Sequence, residues 1–95
     1  MKAAEYIKKV EKVLEGKHHS WLDNDRKCKL EDLLNPLSED DFCNVVAIVT
    51  LYFNQEKLMH RLNEDWKLFD KYEDYSSAFS FIVNELALTK LKQVA

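Results

Sequence analysis

One glycine and one proline stand in 95 residues, and that scarcity does the first sorting. An all-β chain needs turn residues at every hairpin, so composition argues against a sheet fold. Phosphate cradles need several glycines in one loop, whereas Gly16 stands by itself. Cys28 and Cys43 are too few and too isolated for a disulfide framework, and they read as reduced thiols of a cytoplasmic protein. Arginine is scarcer than lysine, two against twelve. Arginine grips phosphates and base edges in bidentate fashion, so its shortage weighs against specific nucleic-acid recognition. The longest apolar stretch, residues 42–53, is twelve residues interrupted by Asn44 and Thr50, against about 20 for a membrane span. No apolar run follows Lys2, so no secretory signal is expected.

What is present is a hydrophobic content of 46% and eleven aromatic side chains (two Trp, four Tyr, five Phe). That suffices for one core and one domain covering residues 1–95. The net charge of −3 is unevenly laid out. Residues 1–30 carry eight basic and five acidic side chains, a net of +3; residues 31–75 carry four and eleven, a net of −7.

The apolar spacing is helical. Tyr6, Ile7, Val10, Val13 and Leu14 define an amphipathic helix ending near Gly16, with Glu5 and Lys9 at the supportive i,i+4 spacing. A loop over residues 17–24 leads to a second helix, capped by Asp23 or Asn24. Its face is Leu30, Leu33, Leu34 and Cys28, and Asn35 and Pro36 end it. Ser38 followed by Glu39, Asp40 and Asp41 is an N-cap with carboxylates on the positive end of the helix dipole, with Leu37 as a staple. This favours helix over strand for 45–53, although the segment is rich in β-branched and aromatic residues. Leu58, Met59, Leu62, Trp66, Phe69 and Tyr72 mark a further helix. A continuous helix over 39–72 would be about 50 Å long, too long for a domain of radius near 12–13 Å. A break is therefore expected at Asn54 and Gln55, where the stripe loses phase, in preference to Asn63 and Glu64. Tyr75, Ser76 and Ser77 start the last helix, with Phe79, Ile82, Val83, Leu86 and Leu91 as its face. The expected fold is all-α, a compact bundle of about five helices.

Residues able to carry chemistry do not assemble into a motif. His18 and His19 have no further ligand at a zinc-like spacing, and His60 with Glu56 fits a surface hydrogen bond. Asp70, Glu73 and Asp74 share a helical face, yet magnesium would need carboxylates from more than one helix, and Lys67 and Lys71 lie within a turn. No serine or cysteine sits in a nucleophile context. No enzymatic activity, cofactor or metal is expected.

Two segments, 42–53 and 78–88, look apolar nearly all round. A small bundle encloses one such helix readily and two with difficulty, so either they pack on each other or one meets a partner. The second option is favoured. The expected function is accessory or regulatory, by protein–protein contact and as a homodimer. Asp70, Glu73, Asp74, Phe79 and Phe81 are the candidate partner-binding residues. A nucleic-acid-associated regulator using the basic first third is one alternative. A DNA mimic using the carboxylates of 31–75 is the other; a helix-turn-helix over 23–53 would place acids where DNA lies.

Overall fold

The computed structural model describes residues 2–15 and 24–94 and arranges them as four helices: α1 (Glu5–Leu14), α2 (Asn24–Leu34), α3 (Glu39–Leu62) and α4 (Trp66–Val94). Gly16, His18, His19, Trp21, Leu22 and Asp23 lie outside the described residues, as does the side chain of Leu91. The described residues are all-helical, with no strand among them, and no helix is long and apolar enough to cross a membrane.

Local chemistry accounts for most boundaries. The first turn of α1 lacks a side-chain cap at Ala4, and i→i−3 bonds from Glu5, Tyr6 and Ile7 occupy donors that would otherwise be orphaned. Pro36 follows the last turn of α2. Ser38 starts α3 as the spacing predicts: its Oγ accepts from the Asp41 backbone N–H at 3.2 Å. The β-branched run 45–50 is helical, so the cap outweighs the intrinsic strand preference.

The helix count differs from the expected five, because the breaks fall elsewhere. The chain does not break at Asn54 and Gln55, which lie inside α3, nor at Tyr75 to Ser77, which lie inside α4. Between Glu39 and Val94 it turns once, at Asn63 to Asp65. Glu64 takes φ 57°, its N–H donates to the Arg61 carbonyl, and the Asp65 N–H reaches back to the His60 carbonyl at 2.8 Å. This bond pattern is a Schellman C-cap, which normally carries glycine at the left-handed position. Asp65 then accepts from the Leu68 N–H at 3.3 Å and caps α4. Leu58 to Tyr72 therefore belong to two antiparallel helices, not to one.

The α3–α4 hairpin is the principal pairing, and α1 and α2 pack against one side of it. Phe53 sits fully buried at its centre, with the rings of Tyr72, Tyr75 and Phe79 at 6.3, 6.1 and 5.9 Å. Val10, Leu14, Leu30, Leu34, Val45, Val49 and Ile82 complete the enclosed layer. The two apolar segments thus pack on each other. The molecule is elongated, 45 × 27 × 21 Å, with a radius of gyration of 13.6 Å, and α4, about 44 Å at 1.5 Å per residue, sets its length.

Candidate functional site

α3 has two apolar faces. Phe42, Val45, Val49 and Phe53, at i, i+3, i+7 and i+11, are buried in the core. Leu51, Leu58 and Leu62, at i, i+7 and i+11, point the other way and are 67, 62 and 82% exposed. At 100° per residue these three leucines lie within about 40° of one another and roughly opposite Phe53. Ala47 and Gln55, on the same side, are exposed as well. Beyond the turn Trp66 is exposed too, with its ring edge-on to Phe69 at 5.7 Å.

Beside this stripe, α3 and α4 enclose an open cleft of about 400 Å³ lined by Asn54, Lys57, Leu58, Arg61, Phe69 and Glu73. Its walls pair an apolar floor, Leu58 and Phe69, with cations from α3 and a carboxylate from α4. Among the described residues, Lys57, Arg61 and Glu73 form no ion pair. The surface can hold an apolar partner and orient it by charge.

The proposed acidic trio is divided by the structure. Asp70 and Glu73 are exposed. Asp74 instead meets Arg26 at 3.1 Å, and Arg26 is buried and also donates to the Leu14 carbonyl at 2.7 Å. Asp74 is thereby part of a tie joining α1, α2 and α4, and reversing its charge would attack the fold. Phe79 is 1% exposed and sits in the core, which removes it from any contact surface of the folded chain, while Phe81 is 38% exposed. The carboxylates of 31–75 do not share one face: Glu56 turns to His60 and Asp74 to Arg26, with Glu39 and Asp40 exposed at the far end of α3.

The polar aromatic cluster is the other place where chemistry could reside. His60 Nε2 meets Glu56 Oε2 at 3.2 Å, and its ring stacks on Tyr72 at 5.6 Å; both partners are half-buried, not the surface pair their spacing suggests. Burial pushes the Tyr52 hydroxyl far above the usual tyrosine value, and hydrogen bonds with Glu11 and Tyr72 act in the same direction. Burial also raises Tyr72 and Tyr75. These phenols stay protonated at neutral pH, so they brace α1, α3 and α4 as hydrogen-bonding groups and offer no activated base or nucleophile. Cys28 and Cys43 are free and exposed, and no three His, Cys, Asp or Glu side chains gather as a metal site among the described residues.

The sequence pattern places Leu58, Leu62 and Trp66 in a core stripe, and the outward face of α3 goes unrecognised. The signal was present in the spacing of 51, 58 and 62 against 42, 45, 49 and 53, and the misplaced break at Gln55 hid it. Arg26 likewise shares the face of Leu30 and Leu34 at i+4 and i+8. No family model, curated protein or solved structure matches the chain, so the geometry of this surface carries the functional reading.

Proposed function

We propose that this is a non-enzymatic accessory or regulatory protein of the cytoplasm that acts by protein–protein contact, self-association included, through the outward face of α3 and the adjoining turn. The observation that carries the reading is the set of three leucines at heptad-compatible spacing, each more than half exposed. Single exposed apolar residues are ordinary, but an aligned group flanked by charge marks an interaction surface. The exposed Asp70 and Glu73 and the open Lys57 and Arg61 supply the polar rim expected around such a patch. Replacing Leu58 and Leu62 by glutamate tests the reading, because both side chains stand in solvent and the core is untouched. Affinity purification of the tagged chain followed by mass spectrometry should recover partners that the double variant loses. If both recover the same set, this surface is not the contact site.

One observation favours the nucleic-acid reading: Lys9, Lys12 and Lys29 converge with Val13 on one cleft between α1 and α2. Against it, Lys29 is bridged to Asp25 at 3.1 Å and Lys9 lies over the Tyr6 ring. Fluorescence anisotropy with a labelled duplex separates the two readings. Salt-dependent binding lost on changing Lys9 and Lys12 to glutamate would support this second one.

A further inference from the structure

The exposed seam of α3 carries more information than its apolarity. Positions 44, 48, 51, 55, 58 and 62 alternate in steps of four and three, the spacing of a coiled-coil seam. They hold Asn44, Ile48, Leu51, Gln55, Leu58 and Leu62. All are exposed except Ile48, which is half-buried. The seam is also polar in charge. Glu39, Asp40 and Asp41 stand at its start, while Lys57 and Arg61 stand in its last two turns. Neither the Asp40 and Asp41 carboxylates nor the Arg61 guanidinium forms an ion pair among the described residues.

We infer that the occupant of this seam is a second copy of the same chain, with the two α3 helices packed antiparallel about a two-fold axis. The inference rests on the contact role proposed above and commits it to one partner. In antiparallel seams the layers pair each position with its complement. Here Leu62 meets Asn44 of the copy, Leu58 meets Ile48 of the copy, and Leu51 meets Gln55 of the copy, so every layer holds at least one leucine. Asn44 and Gln55 are the polar seam residues that fix register at some cost in stability. This register sets Arg61 level with position 45 of the copy and on the same flank of the seam as Asp40 of the copy, which lies about 7.5 Å further along the axis at 1.5 Å per residue, within reach of an arginine side chain. A parallel pairing would instead place acid beside acid at one end and Lys57 and Arg61 beside their equivalents at the other, with the helix dipoles aligned. Charge therefore selects the antiparallel arrangement.

Sedimentation equilibrium on the purified full chain, with far-UV circular dichroism on every variant, tests the inference. The wild-type chain should sediment at twice 11.3 kDa at about 100 μM. Arg61→Glu sets two carboxylates together at both ends of the pair and should weaken dimerisation roughly tenfold or more. Adding Asp40→Lys to Arg61→Glu restores opposite charges in the antiparallel pair alone, and the dimer should return. A wild-type chain that stays at 11.3 kDa overturns self-pairing; loss of partners by the Leu58 and Leu62 variant would still uphold the contact role, so the two readings fail separately. A wild-type dimer that Arg61→Glu leaves unchanged, or that the double charge swap does not restore while the helix content holds, overturns the antiparallel arrangement.

Discussion

At the scale of single residues, Glu64 and Arg26 hold opposite kinds of position. Glu64 occupies φ 57° in a place where glycine is free of strain. A non-glycine residue there costs about 1–2 kcal/mol, and glycine returns about 0.4–1 kcal/mol of that through its floppier unfolded chain. Glu64→Gly should therefore stabilise the protein by roughly 0.5–1 kcal/mol net, read as a higher urea midpoint at unchanged slope. A lower midpoint would mean that the Glu64 side chain makes a compensating contact. Arg26 is the reverse case, a buried cation held at its Nη2 by the Leu14 carbonyl and Asp74. Arg26→Met should cost on the order of 2–3 kcal/mol, toward the low end because Asp74 keeps some access to water. A change below half a kcal/mol would show that the tie contributes geometry without stability.

At the scale of elements, the start of α3 was legible and its end was not. Ser38 with three following carboxylates announces a helix by side-chain chemistry that needs no tertiary partner. Ser38→Ala should cost about 0.5–2 kcal/mol, measured by thermal or urea unfolding. An unaltered midpoint would show that the Asp41 N–H finds water just as well. The end at Asn63 carries no glycine, so the turn is made by backbone hydrogen bonds and a strained glutamate that composition does not flag. The loss of apolar phase at Gln55 reads as a break only for a helix with a single apolar side. It marks instead where the helix shows leucines outward and aromatics inward at once. The all-helical class, the Ser38 cap and the buried positions Val10, Leu14, Leu30, Leu34, Phe79, Ile82, Val83 and Leu86 are thus readable, since they follow from local chemistry and periodicity. The spacing also holds a second stripe at 51, 58 and 62, but which of the two faces outward is not readable, because it depends on which side the other helices cover.

At the scale of the whole molecule, three tyrosines, the half-buried Tyr52 and the buried Tyr72 and Tyr75, share a direction of shift. The phenols of Tyr52, Tyr72 and Tyr75 are all raised above 10.0, so between that value and their folded values the unfolded chain has lost protons that the folded chain keeps. The stability this represents is complete below pH 10 and is lost as pH rises further. Unfolding free energy should stay flat in this respect up to about pH 10 and fall above it, and Tyr52→Phe should reduce the steepness of the fall. An alkaline slope identical in that variant would place the titration elsewhere. The single turn at Asn63 to Asp65 has a consequence in time as well. Because the largest interface joins two helices adjacent in the chain, its closure demands little search, and such topologies fold in microseconds to milliseconds. The hairpin can form before α1 and α2 arrive, and the last amides to exchange with deuterium should be those of α3 around Val49 and Phe53, with α1 opening earlier. The short helices then act as a late-closing cover over a spine already assembled, so the order of events in folding runs against the order of the elements along the chain.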